Sequence, residues 1–321
     1  NAQLYNNTVA NLTSTDHPAV AVKLEDNPSA RTINTFTNNT FNGKPLSLEH
    51  STVYVESHFG GNSTQDNTYM ELLSSDGVYR YYGINAFSTI QDAVDNSTSG
   101  TTVKINTPVH QEGPTIHITK DITIIGNGAD ETKILQSGST NSGWFTVSSG
   151  SSLSMSDLTL DGNSANGSEV HYAISNSGVG GSIDRMTFQN IRRGDYQGTA
   201  VYFNGSGTLD ITNSTFSTIG RNGALYSGTG AKGSFSNNQY TGKGEVDGLD
   251  YGLTLWLGAS VTATGNTITG NLGKSRDGYR SAALNVWDDG TVLTASENTI
   301  TNNTYAIGVS ALSAGENATI N

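Results

Sequence analysis

Residues 157–160 read Asp-Leu-Thr-Leu, and variants of this four-residue phrase return five more times along the chain. The later copies are Arg185-Met-Thr-Phe188, Asn213-Ser-Thr-Phe216, Asn237-Asn-Gln-Tyr240, Gly265-Asn-Thr-Ile268 and Glu297-Asn-Thr-Ile300. The last residue of the phrase is apolar or aromatic and recurs after 28, 28, 24, 28 and 32 residues. Repetition at this period is typical of a solenoid, in which each coil buries its inward side chains against the next coil.

Three short strands follow one another within each repeat. The phrase is followed by a polar loop, a second apolar strand such as Leu253-Thr-Leu-Trp256, a Gly-rich turn and a third short strand such as Ser260-Val-Thr-Ala263. Asn recurs near the turns, where it tolerates left-handed backbone and is able to hydrogen-bond along a stack. The sequence therefore predicts an all-β fold, a right-handed parallel β-helix with three strands per coil.

Composition narrows the class of protein. Charged residues make up 14% of the 321-residue chain, the net charge is −12, and there is no Cys. The acidic balance argues against nucleic acid or membrane surfaces as partners, and the lack of Cys suggests an exported or surface protein of bacterial type. No apolar run long enough for a membrane-spanning helix occurs. The chain starts at Asn1 without an initiating Met or a signal peptide, so we expect it to be part of a longer chain.

An amphipathic helix is predicted near 84–95, where five apolar residues share one helical face. The stretch that contains its second half, FSTIQDAVDNSTSGTTVKINTPVHQEGPTIHITKDITIIGNG (87–128), resembles the opening of pectate-lyase-like β-helix proteins. In that family an amphipathic helix plugs the first coil. The resemblance implies a parallel β-helix over residues 83–321 with a capping helix near 84–95. Residues 1–82 are less regular, and we expect a β segment that packs on the solenoid or extends it.

The loops that follow the repeated phrase are the candidate functional region. Parallel coils stack equivalent loops on one side, so residues distant in sequence should line one lengthwise groove. Tyr faces in such a groove suit sugar rings, and Arg side chains bind carboxylates through two parallel hydrogen bonds. The alternative, that these are ordinary polar surface loops, stays open. The predicted ligand-binding residues are Arg192, Arg193, Tyr196, Arg221, Asp247, Tyr251, Trp256, Lys274, Arg276, Asp277, Tyr279 and Arg280.

A polysaccharide-degrading enzyme is the alternative function. Asp247 and Asp277 each precede a Gly just before a strand, and with Asp250 they would supply the two carboxyls, about 5–10 Å apart, that a glycosidase needs. The fuller polygalacturonase pattern is absent, as is the Trp-Ile-Asp-His phrase of pectate lyases. We therefore predict a binding protein without catalytic residues, cofactor or bound metal.

A Cys-free, acidic β-helix rich in Ser, Thr and Asn resembles the ligand-binding region of serine-rich repeat adhesins from lactobacilli, on residues 87–128 and 157–300. The resemblance implies an extracellular, cell-wall-anchored adhesin region, monomeric within a longer chain. It also implies binding to host mucin, epithelial glycoproteins or an acidic polysaccharide such as pectin, without cleavage. Acidic pH would neutralise carboxylates in the groove and leave Arg and Lys charged, so we expect stronger binding of anionic glycans there. A purely structural stalk is a third reading.

Overall fold

A computed structural model of the chain describes the strand residues 3–5, 8–9, 35–37, 40–41, 71–73 and 79–81, and the ranges 52–56, 85–245, 248–275, 277–310 and 319–320. The chain forms two compact units, Asn1–Thr107 and Pro108–Asn321. No helix in the described ranges is long and apolar enough to cross a membrane.

The first unit contains nine short strands and one helix among its described residues. Four strands form two parallel pairs, β1 (Gln3–Tyr5) with β3 (Thr35–Thr37) and β2 (Thr8–Val9) with β4 (Thr40–Phe41). β6 (Glu71–Leu73) and β7 (Tyr79–Tyr81) pair antiparallel. β5 (Thr52–Val55) lies between β8 (Ala86–Phe87) and β9 (Thr101–Ile105), parallel to both.

The helix α1 spans Ile90–Asp95 and confirms the helix predicted near 84–95. Thr89 starts it, because its Oγ1 accepts a hydrogen bond from the Asp92 backbone N–H at 3.0 Å and so satisfies one free amide of the first turn. The apolar face of the helix is buried against β5, β8 and β9. Residues 57–70, 74–78 and 82–84 lie outside the described residues, so the predicted boundary between 82 and 83 stays a prediction.

The second unit is a right-handed parallel β-helix of about eight coils, as predicted, and each full coil contributes one strand to each of three sheets. Sheet I contains β10 (Val109–Glu112), β13 (Lys133–Gln136), β16 (Thr159–Asp161), β19 (Thr187–Gln189), β22 (Thr215–Ser217), β25 (Gln239–Thr241), β28 (Thr267–Thr269) and β31 (Thr299–Thr301). Sheet II contains β11 (Ile116–Ile118), β14 (Phe145–Val147), β17 (Tyr172–Asn176), β20 (Thr199–Phe203), β23 (Asn222–Ser227), β26 (Tyr251–Trp256), β29 (Ala282–Trp287) and β32 (Tyr305–Ser310). Within this unit, sheet III contains β12 (Ile122–Ile125), β15 (Ser152–Ser156), β18 (Gly180–Asp184), β21 (Gly207–Thr212), β24 (Ala231–Ser236), β27 (Ser260–Thr264), β30 (Val292–Ser296) and β33 (Thr319–Ile320).

The repeated phrase ends inside sheet I, where its last residue points into the core. Leu160, Phe188, Phe216, Tyr240 and Ile268 stand in one register and are all buried. The rings of Phe188 and Phe216 stack with centroids 5.0 Å apart. Each inward side chain packs on its counterpart in the next coil. The spacing of the repeated phrase in the sequence therefore corresponds to one coil of the core.

The corner between sheet III and sheet I is short and constant. Two residues connect each strand of sheet III to the next strand of sheet I from β15 to β31, and the first of them has a positive φ. In three successive corners the second residue is Asn238, Asn266 or Asn298, and the side-chain oxygen of Asn266 accepts from the Asn238 backbone N–H at 2.9 Å. Asn298 does the same for Asn266 at 2.9 Å. This ladder confirms the expected stacking of turn Asn residues.

Candidate functional site

The loops between sheet I and sheet II, the candidate region of the sequence, lie side by side along the second unit. Their described residues are 162–171, 190–198, 218–221, 242–245, 248–250, 270–275 and 277–281. Backbone hydrogen bonds join neighbouring loops, from Arg221 N–H to the Gly198 carbonyl at 2.7 Å and from Gly248 N–H to the Lys274 carbonyl at 2.9 Å. The stacking therefore brings residues from several coils onto one flank.

A buried polar network anchors the loop 242–250. Asp250 is fully buried, and its carboxylate accepts hydrogen bonds from the Tyr240 hydroxyl at 2.5 Å and the Lys243 backbone N–H at 2.6 Å. The Asp250 N–H donates to Ser281 Oγ at 2.9 Å, which links this loop to the next. Burial raises the pKa of the Asp250 carboxyl above its ordinary value, and the hydrogen bonds from Tyr240 and Lys243 oppose that rise. Asp250 is therefore a structural group.

A first cavity of about 250 Å³ lies between these loops and the outer face of sheet II. Aromatic side chains form its walls, with Tyr172 and Tyr251 at the start of their strands and Trp256 and Trp287 at the end of theirs. Trp256 is 41% exposed although it ends a buried strand, so its ring is open to a ligand.

Ring stacking extends both walls of this first cavity. On one side, His171 stacks on Tyr172 with ring centroids 4.0 Å apart, and Tyr172 stacks on Tyr202 at 4.8 Å. On the other side, the exposed Tyr279 ring lies 6.1 Å from that of Trp287. The cavity is thus bounded by flat apolar faces at two ends, which suits a flat or ring-shaped ligand.

Polar side chains form the floor of the first cavity, and successive hydrogen bonds link them. Thr254 Oγ1 donates to Asn222 Oδ1 at 2.9 Å, and Asn222 Nδ2 donates to Thr199 Oγ1 at 3.0 Å. Asn285 lies in register with Thr254 on the next coil and is only 3% exposed. Its Nδ2 is buried and has no hydrogen-bond partner among the described residues. A buried donor without an acceptor is costly, so an oxygen acceptor placed beside this amide would be stabilised there.

The described residues that line the first cavity give it a positive charge. Arg221 lines it, and no Asp or Glu does among the described residues. Burial raises the pKa of Tyr251, and the nearby charge of Arg221 opposes the rise, so the guanidinium lies close to that phenol. Arg221 makes no side-chain hydrogen bond or ion pair within the described part of the chain. A solvent-accessible cation without a carboxylate partner is available to an anionic ligand.

His171 adds a group that titrates near neutrality. Its Nδ1 lies 3.1 Å from the Asn141 carbonyl oxygen, which makes Nδ1–H the donor in that hydrogen bond. Burial lowers the pKa of His171 below its ordinary 6.5, the bond to Asn141 opposes this, and the charge of Arg193 adds to the lowering. The imidazole is therefore neutral at pH 7 and gains a positive charge in acid.

A second cavity, of about 540 Å³, lies among the loops that follow sheet I. Arg192, Asp195 and Tyr196 enter it from the loop 190–198, and Ser217 and Thr218 from the end of β22. The range 241–243 lines the remaining side. Two backbone hydrogen bonds between Arg193 and Gln197, at 2.7 and 3.3 Å, close a short hairpin between the two cavities.

The structure distributes the predicted ligand-binding residues between the two cavities and their surroundings. Arg221, Tyr251 and Trp256 line the first cavity, and Arg192 and Tyr196 line the second. Arg193 donates to Gln197 Oε1 at 3.2 Å beside both. Lys274, Asp277, Tyr279 and Arg280 are exposed on the loop 270–281. Asp247 and Arg276 lie outside the described residues.

Sequence reasoning missed the polar floor of the first cavity. Thr254 and Asn285 occupy outward positions of strands that read as ordinary apolar runs, and Trp287 lines the cavity but is not among the predicted ligand-binding residues. The signal was the polar residue that interrupts two successive apolar strands at the same register, in Leu253-Thr-Leu and Leu284-Asn-Val. An outward polar residue on a strand is common, so only the lateral pairing distinguishes these two.

The enzyme alternative rests on three acids that the structure places differently. Asp250 is buried and hydrogen-bonded as described, Asp277 is exposed, and Asp247 lies outside the described residues. Within the described ranges, no group of three or more His, Asp or Glu side chains is arranged to hold a metal ion.

A protein-family model matches part of this chain. The model of a domain of unknown function, DUF4957, matches residues 109–241, from the first residue of β10 to the last residue of β25. The match therefore covers five successive coils and includes His171, Arg192 and Arg221, but ends before Trp256 and Asn285. No curated protein matches the chain.

Proposed function

We propose that this chain is the glycan-binding region of a bacterial surface adhesin and that the first cavity is its sugar site. The observation that carries the proposal is the buried Nδ2 of Asn285, which has no partner among the described residues and lies at the floor of a cavity with aromatic walls. A sugar presents apolar C–H faces and a rim of oxygen acceptors, and the cavity offers a surface for each. Aromatic walls with a few placed polar groups are the usual composition of a small-ligand site.

The charge of the site favours an acidic sugar. Arg221 lacks a carboxylate partner among the described residues, and the lining contains no described Asp or Glu although the whole chain has a net charge of −12. A uronate carboxylate would accept hydrogen bonds from a guanidinium in the geometry that Arg favours. An acidic polysaccharide such as pectin and the acidic glycans of mucin or epithelial glycoproteins are the proposed partners.

The placement on a bacterial cell wall rests on the resemblance to serine-rich repeat adhesins. Its support is the combination of a Cys-free, Ser/Thr/Asn-rich solenoid with decorated loops on one flank. In this proposal the β-helix presents the site, and the polymer is bound without being cleaved.

Titration with oligogalacturonides and with neutral galactan oligomers tests the sugar site. Trp256→Ala and Arg221→Gln should each weaken oligogalacturonide binding by about tenfold or more, because truncated aromatic and Arg anchors typically cost that much. The matched controls are Leu257→Ala, an exposed apolar neighbour outside the cavity lining, and Lys232→Gln, an exposed cation on sheet III. Unchanged affinity in both site variants would overturn the proposal, and release of reducing or unsaturated ends would favour the enzyme alternative.

Asn285 provides the most specific variants. Asn285→Ala should bind the ligand about 2–10-fold more weakly. The variant should fold normally, because Asn285 Nδ2 has no hydrogen-bond partner in the described structure and its removal therefore leaves no other group unpaired. Asn285→Asp should weaken an acidic ligand much more than a neutral one, because it places a carboxylate at the floor. Equal effects on both ligands would show that the floor does not contact the acidic group.

Acidification should strengthen binding of an anionic glycan. The pKa of His171 lies below 6.5, so its charge appears only as the pH falls below that value, and it then adds to the field of Arg221. His171→Gln should retain binding at pH 7 and lose the increase between pH 7 and 5. An equal acid response in the variant would assign the effect to other groups.

A further inference from the structure

The second cavity contains a cation, Arg192, that has no partner among the residues that the structure describes. Arg192 makes no side-chain hydrogen bond and no ion pair with any described residue. Its Nε is shielded from solvent and has no acceptor among those residues. A guanidinium presents its N–H donors in a fixed planar arrangement. Leaving a shielded donor of a charged group without a hydrogen bond is energetically costly. A group with two or more acceptor oxygens matches the geometry of such a guanidinium.

Lys243 adds positive charge without competing for that acceptor. Its Nζ donates to the Gly220 carbonyl at 2.6 Å and to the Leu249 carbonyl at 3.2 Å, so its position is fixed by the backbone. Burial lowers the pKa of Lys243, the charge of Asp250 opposes this, and the charge of Arg192 adds to the lowering. Arg192 and Lys243 are thus close enough to influence each other, and Asp195 is the one acid among the described lining residues.

Thr218 supplies an independent observation at the same cavity. Its φ is 55°, a left-handed conformation that β-branched residues avoid. The residues in register with it on other coils include Asn190, Gly270 and Asn302, with φ of 57°, 85° and 54°, and these are the residue types that tolerate this region. Thr218 and its neighbour Ser217 both line the cavity, and each carries a hydroxyl. The register of the coils accounts for the left-handed backbone, and Thr218 is the β-branched residue among these positions.

We propose that the second cavity binds an oxyanion, the carboxylate or sulfate group of a charged glycan, with Arg192 as its main ligand and the hydroxyls of Ser217 and Thr218 as further donors. The hairpin 193–197 separates this anion site from the sugar site in the first cavity. The anion site does not require the proposed sugar site, since its residues are different.

The Arg192 Nε–H resonance in ¹H–¹⁵N spectra of the full chain reports directly on the anion site. Sodium sulfate and sodium galacturonate, each titrated at constant ionic strength with NaCl, should shift this resonance saturably. Arg192→Lys, which assigns the signal, should retain part of the affinity measured by calorimetry, because it keeps the charge and loses the fork. Arg192→Gln should weaken binding by about tenfold or more.

Further variants separate this proposal from the sugar site. Trp256→Ala should leave the anion response unchanged, so failure of one site and failure of the other are distinguishable. Thr218→Asn keeps a residue that tolerates the left-handed backbone and removes the hydroxyl, and it should weaken anion binding while the fold is retained. Saturation by sulfate alone assigns a sulfate ester, and saturation by galacturonate alone assigns a uronate. No saturable shift with either anion, or a response that survives Arg192→Gln, would overturn the proposal.

Discussion

Removing one hydroxyl from the core, in a Tyr240→Phe variant, tests whether Asp250 is held in the structure as a buried carboxylate. The hydroxyl donates to Asp250 at 2.5 Å and both residues are at most 1% exposed. A hydrogen bond to a charged group contributes about 1.5–3 kcal/mol to stability. For a unit of this length, 1 kcal/mol corresponds to about 2–4 °C, so Tm should fall by about 3–12 °C.

Tyr226→Phe is the matched control. Tyr226 is also fully buried, but its hydroxyl donates to a neutral acceptor, the Leu209 carbonyl, at 2.7 Å. Loss of a bond between neutral groups costs about 0.5–1.5 kcal/mol. Thermal unfolding followed by circular dichroism should therefore rank the wild type above Tyr226→Phe and Tyr226→Phe above Tyr240→Phe.

The pH dependence gives this prediction its sharpest form. Burial raises the folded-state pKa of Asp250 above its ordinary 3.8, and the Tyr240 bond opposes the rise, so Tyr240→Phe raises it further. Between the unfolded and the folded pKa the folded state binds more protons, so stability falls as pH rises through that window. The deficit of Tyr240→Phe should therefore be larger at pH 7 than at pH 4, while that of Tyr226→Phe stays constant. Equal deficits at both pH values would refute a buried ionised Asp250.

Two further predictions concern the solenoid corners. Leu257→Gly should raise the free energy of unfolding by about 1 kcal/mol, because Leu257 is 49% exposed and is held at a φ of 55°, which glycine adopts without strain. Chemical denaturation measures this change, and a loss of stability would contradict the prediction. Asn266→Ala should lower it by about 2–5 kcal/mol, because the Asn238 amide and the Phe235 carbonyl each lose a buried partner. Asn298→Ala, at a half-buried corner, should cost less in the same denaturation series, and equal losses would contradict the role of burial.

The coil architecture was predictable because two constraints appear in the sequence at once. The last residue of each phrase must fill the core, as Phe188 and Phe216 do, and the corner before it must accept left-handed backbone. The first requirement restricts residue type at fixed spacing, and the second favours Asn, Asp or Gly, although Arg185 and Glu297 also adopt left-handed backbone. The spacing of the buried residues therefore predicts short strands in register.

The candidate sites were predictable only in part. The loops were recognised from their Arg and Tyr content. Asn285 is distinguished only by its amide, which lacks a partner among the described residues, and this depends on what the adjacent coils place around it. Asp250 has the same appearance in the sequence as an exposed loop acid, and its burial alone separates the two. Burial of a loop carboxylate is set by tertiary packing, which a single sequence does not display.

The constant two-residue corner between sheets III and I has an evolutionary consequence. Repeat length changes from 24 to 32 residues almost entirely in the loops between sheets I and II, while strand register is unaffected. Insertions and deletions in the loops between sheets I and II therefore leave the strands of the β-helix in place. Related chains are free to diversify their recognition surface one coil at a time. Grafting a loop from one coil onto another should leave the strands of the receiving coil unchanged.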